Sequence, residues 1–457
     1  MMNEYKDYEA YDFGDKRIGK RIARILEEKT QSPQLSIHAM SKTAAESKAA
    51  YRLLGNLNLQ TEALVNASHM ASVERVKESK EPVILVPQDT TQLDYHGLKS
   101  TEGLGFIGDS PTHLGAMLHS AIAVTTEGLP LGLLYSKMWT RPVESFGAKK
   151  GRGEKLIGEK ESGKWLETMQ GASADKPEGV TYIHICDREG DIYPFFSAAI
   201  EQHQHFIVRN IHNRRIRTSD GAVDKLMPYM AEAVRASNET VVVRVPRDSH
   251  TRRQKRDAVL HVAYQPVTVG KSSYGHDEVL KEVSLYSLCA EELDAPKGAA
   301  PICWHLLSTE PIRNLDEAAK VMQWYTQRWK IELFHRVLKE GCKVECLQED
   351  TIDKLEKLIA IYAIVAINLL DLTYMGRVMP DFPCDIMFTE EEWKILYQFS
   401  HRTRALPPRV PTMAEAVMMI ARLGGFGGRP SDGYPGTKSL WLGLQKFAVA
   451  LDFSAFS

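Results

Sequence analysis

Three carboxylate side chains lie where they could hold divalent cations together. Asp89 closely follows the apolar run at 83–86, and Asp187 directly follows another at 180–186, so we expect both aspartates at strand ends. Glu332 lies in a segment with helical periodicity. Two Mg²⁺ ions held by such oxygens could activate a water or a 3′-hydroxyl for phosphodiester chemistry. Carboxylates are common, so this arrangement alone does not establish the reaction.

The segment 314–339 is predicted to be one helix that carries several polar side chains on one face. Asn314 is a suitable N-cap residue, with a glutamate three residues later. The side chains in question are separated by three, four and seven residues, and at roughly 100° per residue they share a sector of roughly 60°. They are Tyr325, Arg328, Glu332 and Lys339. The stripe suits phosphoryl transfer, because its basic side chains could bind a polyanion, and an exposed face with an ordinary i,i+4 ion pair is the alternative.

The composition is that of a globular protein with several domains. The chain has 457 residues, 43% hydrophobic and 25% charged, which argues against disordered, fibrous and membrane classes. The formal charge is −2, so any surface for nucleic acid must be local. Six cysteines are too sparse for a disulfide framework and indicate a reducing cytosol. Cys342 and Cys346 lack a second pair, which disfavours a zinc site there.

The sequence predicts neither export nor insertion into a membrane. The first 17 residues are polar and contain no apolar stretch of the kind found in a secretory signal. The longest apolar run, at 358–370, has 13 residues, whereas a membrane span needs about 20. We therefore expect a buried core helix at this run and a cytoplasmic protein.

The pattern along the chain predicts a mixed α/β core between helical regions. Helical spacing is expected over 15–28, where Ile18, Ile22, Ile25 and Leu26 share a face. A hairpin is expected from the runs at 119–124 and 131–137, and antiparallel strands at 240–245, 258–264 and 279–288 form an insertion. The predicted divisions are 1–75, 76–210, 211–300, 301–371 and 372–457.

A basic excess marks the start of the insertion. Between positions 209 and 256 the chain has twelve basic and five acidic residues, a net charge of +7. This local excess could face phosphates, and solvated loops are an equal alternative.

An amphipathic segment near the C-terminus could pair with a second copy of the chain. Residues 412–423 place Ala416, Met419, Ile420 and Leu423 at helical spacing and stop at two glycines. Packing of this stripe on the chain's own core is equally compatible with the pattern.

Several motifs together resemble the DDE transposases of bacterial insertion sequences, specifically the IS-four family with its YREK signature. They include QDTTQLDY, HSAIAV, CDREGDI, FIVRN and YTQRWKIELFHRVLK, and they are spread over nearly the whole chain. The full Y-x2-R-x3-E-x6-K spacing is present. The resemblance implies an α/β fold with an RNase H-like mixed-sheet catalytic core and an inserted antiparallel β subdomain. Helical N- and C-terminal domains for DNA-end binding and dimerisation would flank this core.

The resemblance also implies roles for individual residues. Asp89, Asp187 and Glu332 would be the catalytic and metal-binding triad. The DNA-binding residues would be Tyr325, Arg328, Lys339, Trp304, Arg209, His335 and Arg336. Trp304 would lie beside a flipped base of a hairpin intermediate, although its alternation with Ile302 and Leu306 also fits a packed strand residue. His335 could equally be a histidine satisfied within the core.

The implied activity is cut-and-paste transposition of DNA. The enzyme would use Mg²⁺, with Mn²⁺ as a substitute, and would act as a homodimer on paired transposon ends and double-stranded target DNA. The expected location is the bacterial cytoplasm, at the nucleoid. Two alternatives remain open: a structure-selective nuclease on the same fold, and a descendant that only binds DNA as a repressor.

Overall fold

The computed structural model describes residues 5–33, 36–41, 43–98, 100–147, 158, 160–245, 256–270, 282–429 and 432–454. Its N-terminal region is helical, as predicted. The helices are α1 (Lys6–Ala10), α2 (Lys16–Gln31), α3 (Ile37–Met40), α4 (Ala44–Leu54) and α5 (Thr61–Ser79). Asp15 caps α2 by accepting from the Arg17 N–H, and the predicted stripe from Ile18 to Leu26 is buried. A capping box between Thr43 and Glu46 starts α4.

A mixed β-sheet forms the centre of the protein. Its strands are β1 (Val83–Asp94), β2 (Gly105–Phe106), β3 (Leu114–Thr125), β4 (Pro130–Trp139), β5 (Thr181–Cys186), β6 (His205–Arg209), β7 (Arg215–Arg217), β8 (Val223–Lys225), β9 (Thr240–Val245), β10 (Arg256–Val269), β11 (Val283–Glu291) and β12 (Cys303–Ser308). The predicted hairpin is β3 and β4, which pair antiparallel. β1 pairs antiparallel with β3 and parallel with β5, and β5 is parallel to β6.

The strands of the insertion extend the core sheet. From β6 the order continues through β12, β11 and β10 to β7 and β8, and β9 pairs with β10. All of these added pairings are antiparallel, as the sequence predicts. The predicted strand at 279–288 is observed from Val283, and positions 279–281 lie outside the described residues. The insertion is thus joined to the core sheet by continuous hydrogen bonding.

Helices cover both faces of the sheet. On one face lie α6 (Lys164–Ala172), α7 (Tyr193–Glu201) and α8 (Leu226–Ala236), whose apolar side chains share a core with Val208, Cys289 and Leu307. Residues on the opposite face, including Ile185 and Leu306, pack in the main core. Because side chains alternate along a strand, the adjacent residues Leu306 and Leu307 of β12 pack in different cores.

The segment 314–339 is divided, whereas the periodicity predicts a single helix. It consists of α9 (Leu315–Thr326), α10 (Trp329–Arg336) and a π-helical turn at Val337–Gly341. Asn314 caps α9 as predicted by accepting from the Glu317 N–H. The Glu317 carboxylate accepts from the Arg313 N–H, so the reciprocal bond of a capping box is not made. The break and the π turn change the directions of the four side chains on the predicted stripe.

The C-terminal region is helical and contains α11 (Ile352–Val378), α12 (Glu390–His401), α13 (Met413–Leu423) and α14 (Thr437–Ser454). By length and composition α11 could cross a membrane, but 83% of its most apolar window is buried inside the protein, as in a core helix. The stripe on α13 was a candidate for pairing with a second chain. That prediction is wrong, because Ala416, Met419 and Ile420 are buried in the chain's own core.

Candidate active site

The register of the sheet places Asp89 and Asp187 side by side. β1 and β5 are parallel neighbours, and their last pair joins Pro87 to Ile185. Each aspartate lies two residues beyond that pair, and neighbouring strands are about 4.8 Å apart. Asp187 follows the end of β5 as predicted, whereas Asp89 lies within β1 and not at its end, because β1 continues to Asp94 in pairing with β3. Asp187 follows β5 and its Oδ1 accepts from the Glu189 N–H at 2.8 Å, which starts a 3₁₀ turn. This bond fixes the carboxylate at the sheet edge.

Arg328 joins Glu332 to Asp89. One guanidinium nitrogen of Arg328 lies 3.3 Å from Oδ2 of Asp89, and the other donates to Oε1 of Glu332 one helical turn later. The side chains of Arg328 and Asp89 are 18% and 19% exposed, so this pairing is largely shielded from water. Packing of α10 against β1 therefore brings Glu332, the third predicted carboxylate, to the same arginine as Asp89.

The two aspartates have raised pKa values. Burial, followed by the charge of Asp187, raises the pKa of Asp89 to about 7. Burial is also the main cause that raises the pKa of Asp187. Carboxyl groups gathered this closely disfavour one another's ionised forms, and a divalent cation would reverse that effect. Three carboxylates from separate elements are a donor set that fits Mg²⁺ or Mn²⁺.

His119 is a site residue that the sequence analysis did not assign. It lies on β3, where its Nδ1 is 2.8 Å from Oγ1 of Thr90 and its Nε2 is 3.2 Å from Oε1 of Gln88. Thr90 and Gln88 flank Asp89 on β1. The buried imidazole of His119 on β3 therefore fixes β1 on both sides of Asp89. Burial lowers the pKa of His119 well below its usual value. The sequence feature that could have indicated His119 is its position at the start of the HSAIAV motif.

Trp304, Tyr325 and Arg209 form a second group beside the carboxylates. The rings of Trp304 and Tyr325 meet edge to face, with centroids 6.1 Å apart. Trp304 is half-buried on β12 and packs against the main core, so the structure shows it as a strand residue with part of its ring accessible. The Arg209 guanidinium donates to the carbonyl of Cys303 at 3.2 Å. Burial raises the pKa of the Tyr325 phenol against the opposing charges of Arg328 and Arg209.

The remaining predicted residues line an open cleft of about 520 Å³ that also contains Asp89 and Glu332. Lys339 donates to the carbonyl of Gln92 and pairs with Glu345, both at 2.9 Å. Arg336 is exposed on the same cleft. His335 is buried, and its pKa falls to about 3, first because of burial and then because of Lys339. His335 is therefore neutral.

The basic segment is only partly available to phosphates. Three of its arginines form ion pairs, Arg214 with Asp191, Arg217 with Glu282 and Arg256 with Glu292. The first of these ion pairs joins the insertion to the core and the other two lie within the insertion, so these arginines are occupied by acidic partners. Four further basic residues lie outside the described part of the chain, namely Arg247, Arg252, Arg253 and Lys255.

Three family models match parts of this chain. Residues 5–59 match the family model for transposase DNA-binding, residues 185–369 match the transposase DDE domain, and residues 364–457 match the Tn5 transposase dimerisation domain. A cryo-EM structure of the piggyBac transposase synaptic complex with hairpin DNA is 11% identical, with a TM-score of 0.35. That match covers 78% of this chain and spans 65% of the length of the other.

The matched regions follow one another along the chain in the order DNA binding, DDE domain and dimerisation. The DDE match implies the RNase H-like core predicted from the motifs, and the mixed sheet, with Asp89 on β1 and Asp187 directly after the neighbouring parallel strand β5, agrees with it. We conclude that this chain belongs to the Tn5-like DDE transposases.

Proposed function

We propose that the protein is a cut-and-paste transposase that cleaves DNA at the ends of its element and joins the freed 3′ ends to target DNA. The observation that carries the proposal is that Asp89 lies beside Asp187 on neighbouring parallel strands and that Arg328 pairs with both Asp89 and Glu332. Membership of the DDE family supports the same assignment.

The three carboxylates would hold two divalent cations, with Mg²⁺ the expected ion and Mn²⁺ a substitute. When bound, such ions supply the activation of a water or 3′-hydroxyl and stabilise the leaving oxygen. The chain's own contribution is to fix the ligands. The Glu189 N–H orients Asp187, the Thr90 N–H donates to Asp89 at 2.7 Å, and His119 holds Thr90.

DNA would be bound by two parts of the protein. The N-terminal helices would recognise the element end, as the DNA-binding match suggests. At the catalytic cleft, Arg336 and Lys339 would contact phosphates on one side of the carboxylates. Arg328 and Tyr325 would hold the terminal phosphates, because charge-assisted and phenolic donors are well suited to phosphate oxygens.

Cleavage would proceed through a DNA hairpin, in which the freed 3′-hydroxyl attacks the opposite strand. This step needs a base to leave the stack, which costs a few kcal/mol, and an aromatic face can offset about 1–3 kcal/mol per stacked base. The accessible part of Trp304, held by Tyr325, could supply that face. Arg209, which donates to the carbonyl of the residue before Trp304, would contact the same DNA strand.

A homodimer on paired ends would complete the assembly, in the cytoplasm and at the nucleoid. The dimerisation match over 364–457 supports a pairing surface on the C-terminal helices. Since the α13 stripe is buried, the surface must lie elsewhere on them. An open cleft beside α12 and α14 exposes Phe399 and Val449, which are 43% and 56% exposed.

Labelled element ends, a plasmid target and Mg²⁺ would test the proposal with the purified full chain. Joined products that pass through a hairpin are expected. Cleavage without joining would instead indicate a structure-selective nuclease, and a gel shift without cleavage would indicate a DNA-binding descendant that acts as a repressor.

A further inference from the structure

A cluster of soft ligands lies on the face of the sheet opposite Trp304. Cys289 on β11 is directly opposite His305 on β12, and Cys303 lies two residues before His305 on the same strand. One sulfur or nitrogen from each of the three residues lies within 4.8 Å of the other two. Cys289 is fully buried, whereas Cys303 and His305 are half-buried.

The spacing of these atoms is close to that of a tetrahedral metal centre. Sγ of Cys289 is 3.4 Å from Nε2 of His305. With Zn–S near 2.3 Å and Zn–N near 2.0 Å, tetrahedral angles require about 3.6 Å between a sulfur and a nitrogen ligand. They require about 3.8 Å between two sulfurs, which rotation of the half-buried Cys303 side chain could provide.

The surroundings contain buried polar atoms that lack hydrogen-bond partners within the described residues. These atoms are Nδ1 of His305 and both side-chain polar atoms of Asn210, which is buried. Asn210 is next to His305 across the sheet, because its N–H donates to the His305 carbonyl at 2.8 Å. A metal on Nε2 would place the imidazole proton on Nδ1, and such protons in metal sites are usually held by a neighbouring oxygen. Asn210 is the candidate for that role, because it lies opposite His305, directly after the neighbouring strand β6.

We infer that Cys289, Cys303 and His305 form a binding site for one soft divalent cation, with Zn²⁺ as the expected occupant. Two thiolates and an imidazole select Zn²⁺ over the hard cations that suit the carboxylate triad. The fourth position would be open to water on the half-exposed side. Cys303 and His305 flank Trp304, so the metal would tie β12 to β11 and hold the strand that carries this aromatic side chain. The site does not depend on the proposed transposition.

Cobalt absorption provides a direct test that does not use catalytic activity. The reduced, metal-stripped full chain is titrated with Co²⁺ in excess Mg²⁺, which occupies the carboxylates. A saturable thiolate-to-cobalt absorption at one equivalent, displaced by Zn²⁺, is expected. Cys303→Ser should weaken Co²⁺ binding at least tenfold, while Cys346→Ser, which alters an exposed cysteine outside the cluster, should not.

Thermal unfolding gives a second test of metal binding that remains valid if a variant is less stable than the wild type. Zn²⁺ should raise the Tm of the wild type and of Cys346→Ser but leave the Tm of Cys303→Ser unchanged. Because Cys303 is half-buried, circular dichroism should show that its variant folds. Absence of saturable cobalt absorption in the wild type, or an equal signal in Cys303→Ser, would overturn the inference.

Discussion

The Arg328 guanidinium lies 3.3 Å from the Asp89 carboxylate, although 239 residues separate the two in sequence. Arg328 lies in the break between α9 and α10, directly before α10 begins, so this contact connects the break to β1. It provides positive charge among carboxylates that would otherwise repel one another.

Arg328→Met should destabilise the metal-free protein by about 2 kcal/mol, because it leaves Asp89 and Glu332 largely buried without their counter-charge. Mg²⁺ should stabilise this variant more than the wild type, since the ions then replace the missing positive charge. Urea unfolding with and without Mg²⁺ measures both effects. Equal Mg²⁺ stabilisation of the two proteins would argue against cation binding next to Arg328, and Arg328→Lys controls for loss of charge.

Trp304→Ala should separate hairpin formation from the first nick. The first strand should still be cut, because the carboxylates are unchanged, but nicked ends should accumulate. DNA that lacks the base to be flipped should partly rescue the variant, since its unstacking cost has been removed. Trp329→Ala, at an exposed tryptophan, is the matched control. Equal loss of nicking and hairpin formation, with a lower Tm, would show that Trp304 only packs the strand.

The stability of the fold should respond to pH through Glu356. Burial, then the charges of Glu62 and Asp353, raise the pKa of Glu356 from 4.5 to about 7. The folded state therefore binds this proton more tightly, and the free energy of unfolding falls as pH rises from 4.5 through 7. Glu356→Gln should be more stable than the wild type by about 1 kcal/mol at pH 8, after allowance for partial exposure, and similar to it at pH 4.5.

Urea unfolding of Glu356→Gln at both pH values measures this difference. Glu178→Gln, at an exposed glutamate, serves as the control. A stability gain of the same size at pH 4.5 and pH 8 would refute the assigned ionisation.

The dimer surface should include the cleft beside α12 and α14. Val449→Glu places a charge on an exposed apolar position, so it should weaken self-association on DNA ends at least tenfold without lowering the Tm. Val223→Glu changes a similarly exposed valine in the insertion and should leave assembly intact. Sedimentation of the protein on paired ends measures the stoichiometry. Unaltered dimers of Val449→Glu would place the interface elsewhere.

Local signals in the sequence were sufficient for Asp187 and for the Arg328–Glu332 pair, whereas Asp89 lies within β1, which continues to Asp94, and not at the predicted strand end. An apolar run followed by an aspartate predicts a strand end, and a spacing of four residues predicts contact on a helix. The approach of Arg328 to Asp89 was not predictable, because it depends on how α10 packs on β1. The same holds for His119, whose partners Thr90 and Gln88 lie on another strand.

Periodicity failed where tertiary packing decides the outcome. The helical spacing shows that Ala416 and Ile420 share a face of α13. It does not show whether that face packs on the same chain or on a second copy. It also does not show the break near Arg328 or the π turn that carries Lys339, because neither contains a proline. The Cys289–His305 contact was equally hidden, since it depends on the register of β11 with β12.

The most direct test of the carboxylate triad compares DNA cleavage with DNA binding in near-isosteric variants. Asp89→Asn, Asp187→Asn and Glu332→Gln should each reduce Mg²⁺-dependent cleavage of labelled element ends by at least about 10²-fold. End binding in a gel shift should be unchanged, because the N-terminal region carries it. Glu340→Gln, which alters an exposed carboxylate in the same cleft, should cleave normally. Wild-type rates of cleavage by any of the three triad variants would contradict the account.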